Sequence, residues 1–273
     1  MKLYDKTKWM IVFAVLAVFA VTGIAADSFI AGKLYKLGGQ FAGSIFTKVL
    51  PAIPLVLCSF SGAVMMSCRN TRGTRKKNTA MTVLCGLLSY AFAFAAAYYP
   101  FISVKNVDLF IIGAIALAIA GSGIFLSFTS FKYTDQKIAM MCFAKRTIIS
   151  TLIIGAVCGV ALLLPQRVCY DSVMQNIAMT GSPEGPYCQT IPVLPFASAG
   201  APVLMNIFFF KDAIPKLKFS GKTLYVIPCL WIILMVTGMQ LSGEFYLSEA
   251  VYGALAGSMI VLLVSKILEK TEI

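Results

Sequence analysis

The residues best suited to chemistry are Arg167, Ser198 and Glu249, and each lies beside a long apolar stretch. The chain contains no histidine, so it lacks the side chain that most often serves as a general base near neutral pH. Ser198 therefore has no adjacent base to activate its hydroxyl, and its simpler interpretation is a small polar residue near a helix start. A carboxylate entering an apolar segment usually has a partner or a purpose. Arg167 is the candidate partner of Glu249, and stabilisation of Glu249 by a helix dipole is the simpler alternative.

Two cysteines, Cys169 and Cys188, lie in the polar segment 166–190. A disulfide between them is one interpretation, and closing a loop of this size would contribute about 3 kcal/mol to stability. Two free thiols are the other interpretation. Because two thiols without histidine or clustered carboxylates make a poor ligand set, we expect neither a metal nor another cofactor.

The composition indicates a protein whose main solvent is lipid. Hydrophobic residues make up 59% of the 273 residues, charged residues 12%, and the mean hydropathy is +0.86. A soluble domain averages about 45–50% apolar and about 25% charged residues. We therefore predict one integral membrane domain over residues 1–273. The net charge of +12 reflects membrane orientation rather than nucleic-acid binding, because the basic residues lie between apolar stretches.

Windows of about 20 apolar residues predict about eight transmembrane helices. Backbone polar groups in lipid must be satisfied within each segment, so the fold class is all-α, a polytopic helix bundle. The predicted spans are residues 9–26, 49–67, 79–101, 107–130, 147–165, 191–210, 223–241 and 247–266.

Lysine and arginine concentrate in alternate connecting segments. With the N-terminus inside, the inner segments hold 18 of the 23 basic residues, and the outer segments hold only Lys33, Lys36, Lys48, Lys105 and Arg167. This asymmetry predicts a multi-pass protein of the cytoplasmic membrane with both termini in the cytoplasm.

The outer segment 27–48 shows helical spacing of its apolar residues. We predict an amphipathic helix at the outer interface, which either anchors the bundle or forms the floor of a lateral lipid entrance. The apolar residues that carry this pattern are Ile30, Leu34, Leu37, Phe41 and Ile45.

Two stretches carry a resemblance to a known family. The first, Phe196-Ala197-Ser198-Ala199-Gly200-Ala201, opens the sixth predicted span, and the second, residues 238–249, joins the last two spans and precedes Gly253 and Gly257. Their spacing resembles the type-2 phosphatidic acid phosphatase superfamily, which hydrolyses lipid phosphates at the outer membrane face. The resemblance implies that residues 147–266, the last four helices, form a lipid-phosphatase-like core.

The catalytic residues of that family are replaced in this chain. Gly200 stands where the family has its general-acid histidine, Met239 where it has an arginine, and Phe245 where it has the nucleophilic histidine. Glu249 takes the place of the aspartate that orients the nucleophile, and Arg167 matches the arginine of the first family signature. Phosphoryl transfer depends on positioning and on a positive clamp, so the family reaction is not expected here and no residue is assigned a catalytic role.

Three functional hypotheses follow. The leading one is a catalytically inactive relative that binds or helps move a membrane lipid, a phospholipid or a polyprenyl phosphate, at the outer membrane face. The alternative is a membrane subunit or scaffold that binds a partner protein. The third is an active lipid phosphate phosphatase that uses Ser198, Glu249 or Asp171 in new roles.

Gly253 and Gly257 form a G-x-x-x-G motif, which favours close packing within the chain over dimerisation.

Overall fold

Backbone N–H and C=O groups have no hydrogen-bond partner in lipid, so an apolar segment that crosses a membrane forms a helix. A computed structural model describes residues 14–15, 17–18, 21–22, 49, 52–68, 75–101, 107–130, 134–161, 226, 230–231, 233–234, 237–238, 241 and 247–271. Within these residues, only Val107 and Asp108 lie outside a helix. The prediction of an all-helical fold is confirmed for the described part of the chain.

Five long helices are described, and local sequence explains several of their ends. Pro100 lies in the 3₁₀ turn Tyr99–Phe101 that ends the second helix, where proline cannot donate a backbone hydrogen bond. Asp108 caps the third helix, because its Oδ1 accepts a 2.8 Å bond from the backbone N–H of Phe110. The helices are α1 (Ala52–Cys68), α2 (Arg75–Tyr98), α3 (Leu109–Ser130), α4 (Thr134–Ala161) and α5 (Leu247–Thr271).

Three segments in the described residues are long and apolar enough to cross a membrane. They are Lys76–Phe101, Leu109–Ser130 and Lys137–Val157, and two shorter apolar helices cover Ala52–Cys68 and Leu255–Leu268. These five segments overlap five of the predicted spans. The protein is therefore a helical membrane protein, while the total of about eight spans stays a prediction.

The chain divides into two compact units. In the described part, one unit holds α4 from Ile153 onward and α5 up to Ile260. The other unit holds α1 to α3, α4 up to Leu152, and α5 from Val261. Single-domain organisation over residues 1–273 and the core boundaries 147–266 stay predictions.

In the second unit, α1 contacts α2, α3 and α4. Ser59 pairs with Ser89 of α2 and Cys58 pairs with Thr151 of α4. Val64 and Cys68, near the end of α1, pack against Met140, Phe143 and Ala144, near the start of α4. Helix α4 therefore runs antiparallel to α1. Gly62 faces Ser89 and Gly86 faces Met66, so α2 is antiparallel to α1, and the packing of Tyr98 and Ala97 beside Val107 and Ile112 makes α3 antiparallel to α2, as expected of consecutive membrane spans.

The outward surface of this unit is apolar. The side chains of α3 that face away from α1 and α2 are largely exposed, with Phe110 at 85%, Leu117 at 63% and Phe125 at 67%. Serines and threonines are buried instead, including Ser59, Ser89, Ser127, Thr147, Ser150 and Thr151. This arrangement suits a bundle whose solvent is lipid, because lipid tails accept apolar side chains at no cost.

One predicted span needs a corrected start. The fifth span was predicted to begin at residue 147, after an inner loop that included Lys137, Lys145 and Arg146. The structure continues the helix back to Thr134, because the residues on either side of Lys145 and Arg146 are good helix formers without proline or glycine. The predicted interfacial helix over residues 27–48 lies outside the described residues.

Candidate functional site

The site predicted from the family resemblance falls mainly on residues that the structure does not describe. Of its positions, Glu249 lies in the first turn of α5, where a carboxylate suits the positive end of the helix dipole. Whether Glu249 meets Arg167 stays a prediction. The remaining predicted site residues all lie outside the described part of the chain: Arg167, Cys169, Cys188, Ser198, Gly200, Met239 and Phe245.

The glycine-spaced face of α5 is buried within the single chain. Gly253 and Gly257 are buried, and Ser258, Val261 and Ser265 follow on the same side at 0–3% exposure. The G-x-x-x-G motif therefore serves packing inside the chain, the expected role. Gly238, which stands at the start of the degenerate third signature, is also helical and buried.

A second polar region lies inside the α1–α4 unit, where Cys58–Ala63 of α1 contacts α2, α3 and α4; we call this segment the α1 hub. Its closest contact is with α2. Ser89 Oγ donates to the Ser59 carbonyl at 2.9 Å, so Ser59 is the donor in the 3.3 Å contact between the two hydroxyls. A Cβ built on Gly62 would lie 2.9 Å from the Ser89 backbone nitrogen. Only glycine allows α1 and α2 to approach this closely.

The α1 hub also bonds with α3 and α4. Ser127 of α3 shares its hydroxyl hydrogen between the Ala63 carbonyl at 3.2 Å and the Ile124 carbonyl of its own helix at 2.9 Å. Thr151 of α4 donates to its own helix at the Thr147 carbonyl, 2.8 Å away. Its Oγ1 therefore accepts from the Cys58 thiol at 3.1 Å. Three neighbouring helices are thus hydrogen-bonded to two turns of α1, the kind of interhelical bonding that fixes register in a membrane bundle.

The polar face of α4 includes a charge. Arg146 is 7% exposed, and Thr147, Ser150 and Thr151 lie on the same side of the helix at 0–8% exposure. Lys145, the adjacent residue, is exposed. An arginine inside a membrane span usually faces the bundle interior and marks a ligand or ion pathway.

The polar groups of the α1 hub and of this face of α4 are hydrogen-bonding groups. Hydroxyls and a permanently charged guanidinium donate hydrogen bonds, and none of them is a base near neutral pH. No group of three cysteine, aspartate or glutamate side chains in the described residues is arranged to hold a metal ion.

Sequence reasoning missed both the α1 hub and the buried position of Arg146. The missed signals were the small residues Ser59 and Gly62 of α1, and the hydroxyls Thr147 and Ser150 one and four residues after Arg146. Arg146 was assigned to a basic inner loop because charge counts locate loops but carry no information about which helix face a residue occupies.

Comparison with known proteins adds no relative: no protein-family model, no curated protein and no solved structure matches the chain.

Proposed function

We propose that this chain binds or helps move a membrane lipid at the outer membrane face, through a catalytically inactive lipid-phosphatase-like site. The lipid is a phospholipid or a polyprenyl phosphate. The site comprises the degenerate positions of the last four predicted helices, with Glu249 at its edge. The chain performs no phosphoryl transfer by the family mechanism, since it has no histidine to attack phosphorus or to protonate the leaving oxygen.

The observation that carries the proposal is the position of Glu249 on α5. Its helix runs unbroken from Leu247 to Thr271, and the glycines that follow Glu249 at family spacing are buried. A first-turn carboxylate followed by a close-packed glycine face is the arrangement that the resemblance implies for the end of the third signature. The replacement of a histidine by Phe245 makes the proposed cavity more apolar than a phosphatase site, which favours retention of a lipid over turnover.

Membrane orientation is part of the same proposal. The ends of α1 and α3 and the starts of α2 and α4 share one end of the bundle, since these helices alternate in direction. Lys76 and Lys77 are exposed there. By the positive-inside rule this end is cytoplasmic, which would make both termini cytoplasmic. Labelling of single engineered cysteines with a membrane-impermeant reagent in intact cells tests the orientation.

Native mass spectrometry of the gently extracted full chain tests the lipid proposal. We expect a bound lipid of defined mass that is lost in the Phe245→Trp and Gly200→Trp variants. Gly121→Trp is the matched control, because Gly121 is exposed on α3 and a Cβ there meets nothing within 4 Å. If a partner protein copurifies in stoichiometric amount and no specific lipid is bound, the lipid proposal is contradicted and the scaffold alternative is favoured. Phosphate release from a lipid phosphate, abolished by Ser198→Ala, would instead revive an active hydrolase.

A further inference from the structure

Helix α2 projects beyond the end of its neighbour α1. Gly62 of α1 lies against the backbone of Ser89. From that contact α1 extends about 9 Å to its last residue, Cys68, whereas α2 extends about 20 Å back to Lys76, at 1.5 Å per residue. None of residues 76–84 is buried. The start of α2 is therefore open to the membrane and to the membrane surface.

The projecting part of α2 combines two lysines with an apolar stripe. Lys76 and Lys77 are both exposed. Residues three and four apart are neighbours on a helix surface, so an exposed stripe at that spacing continues directly from the lysines along the helix. We call the two lysines and this stripe the α2 amphipathic face. The stripe consists of Ala80, Val83, Leu84 and Leu87, of which the last three are 55–61% exposed.

The sequence around this face carries only positive charge. Arg69, Arg72 and Arg75 precede the two lysines, and no aspartate or glutamate occurs between Asp27 and Asp108. A basic cluster beside a membrane span attracts anionic lipids, by about fivefold for each lysine or arginine near the surface. The lysines are therefore complementary in charge to an anionic headgroup, and the stripe that follows them is complementary to an acyl chain.

Helix α3 offers a matched surface without charge. It contains no charged residue, and its Leu126 is 51% exposed. Leu126 adjoins Ser127, and Leu87 of α2 lies about half a turn from Ser89. Both serines donate hydrogen bonds to carbonyls of the α1 hub. The two leucines are therefore at similar depth in the bundle, one on a face with cations and one on a face without.

We infer that the α2 amphipathic face binds an anionic phospholipid in the leaflet at this end of the bundle. Lys76 and Lys77 pair with the headgroup, and the apolar stripe contacts one acyl chain. The exposed face of α3 contacts lipids without selecting their charge. This inference does not depend on the proposed function, whose site lies in the last four predicted helices.

A single tryptophan on each face tests the inference. The two native tryptophans, Trp9 and Trp231, are replaced by phenylalanine, and either Leu87→Trp or Leu126→Trp is introduced. Each full chain is reconstituted in phosphatidylcholine vesicles with rising fractions of phosphatidylglycerol whose brominated acyl chains quench tryptophan fluorescence on contact. We expect phosphatidylglycerol to bind about fivefold more strongly than phosphatidylcholine at Leu87→Trp, and less than about twofold more strongly at Leu126→Trp, where general surface attraction alone acts. Equal preference at the two positions overturns the inference.

Lysine variants assign the preference to particular charges. Replacing both Lys76 and Lys77 by glutamine should lower the preference at Leu87→Trp to the value found on α3. Lys145→Gln is the matched control, because it removes an exposed lysine from a different helix, and it should change the preference less than about 1.5-fold. A preference that survives the double lysine variant, or that falls equally in Lys145→Gln, refutes the assignment.

Native mass spectrometry tests the same inference where the tryptophan-free chain does not fold. The native chain in a maltoside detergent is mixed with equal amounts of phosphatidylglycerol and phosphatidylcholine. It should retain phosphatidylglycerol preferentially, and the Lys76→Gln, Lys77→Gln double variant should retain about fivefold less. Equal retention by the two chains contradicts the inference. Phe245→Trp should leave this difference unchanged, so failure here and failure of the proposed lipid site are distinguishable.

Discussion

Helix α3 has two faces that meet different surroundings. On the inward face, Ile112, Ala116 and Ala120 are 0–5% exposed and pack against Ala93 and Ala97 of α2. On the outward face, Phe110, Leu117 and Phe125 are 63–85% exposed. The helix contains no charged residue, so the two faces are not divided by charge.

The comparison shows that side-chain size, rather than hydrophobicity, distinguishes the packed face. In a soluble bundle the larger apolar residues would face inward. In lipid there is no hydrophobic gain from burying them, so small residues that allow close backbone approach occupy the interface. The α1 hub follows the same rule, with Gly62 placed against the backbone of Ser89.

The largest effect is expected from filling the closest helix contact. Gly62→Val should lower the free energy of unfolding by about 3 kcal/mol, near the top of the usual range for overpacking. Its Cβ would lie 2.9 Å from the Ser89 backbone nitrogen, and backbone cannot rotate away. Denaturant unfolding in mixed micelles, followed by circular dichroism, measures the change. Gly121→Val is the control and should change stability by less than about 0.5 kcal/mol. Equal losses in the two variants would contradict the close α1–α2 contact.

A smaller loss of stability is expected from truncating an inward-facing isoleucine of α3, and the adjacent outward-facing isoleucine is its control. Ile112 is 2% exposed and Ile111 is 56% exposed. Ile112→Ala should lower the free energy of unfolding by about 2 kcal/mol, the low end for such truncations. The variant loses packing contacts, but in lipid there is little free energy of transfer from water to lose. Ile111→Ala should have little effect, since lipid replaces its side chain. The same unfolding assay ranks the two variants, and the reverse order would invalidate the assignment of inward and outward faces.

The smallest effect concerns a hydrogen bond between helices. Ser89→Ala removes the 2.9 Å bond to the Ser59 carbonyl and should cost about 0.6 kcal/mol, the average for such bonds in membrane bundles. Ser122→Ala removes a bond of equal length to the Ile119 carbonyl of its own helix and should be close to neutral. A double-mutant cycle of Ser59→Ala with Ser89→Ala measures the coupling between the two hydroxyls, which lie 3.3 Å apart. A coupling energy of zero would show that this side-chain contact adds nothing to the bond with the Ser59 carbonyl.

Much of the fold could be predicted because lipid imposes strong rules on sequence. Apolar windows located the regions that form α1, α2, α3 and α5. The basic residues Lys76 and Lys77 were predicted to lie in a connecting segment, whereas the structure has them in the first turn of α2. The start of α4 was missed because Lys145 and Arg146 resemble a loop by charge count. A helix buries one arginine and exposes its neighbouring lysine without any change in the local sequence signal.

The candidate sites also differ in how far the sequence could predict them. The spacing around Glu249 could be described from the sequence because fixed intervals along one chain segment are one-dimensional information, and its relation to a lipid phosphatase stays a prediction. The pairing of Cys58 with Thr151 was not visible, since 93 residues separate them and both are common in membrane helices.

The sequence by itself determined that the described part of the chain is helical, that the chain is apolar enough for lipid, and that it contains no histidine. Those properties depend on composition and on periodicity, which every residue contributes locally. Only the tertiary structure decided that Gly62 packs on Ser89 and that Arg146 lies inside the bundle while Lys145 does not. The physical reason is that in lipid both faces of a helix can be apolar, so helix rotation and register are set by small residues and hydroxyls of other helices.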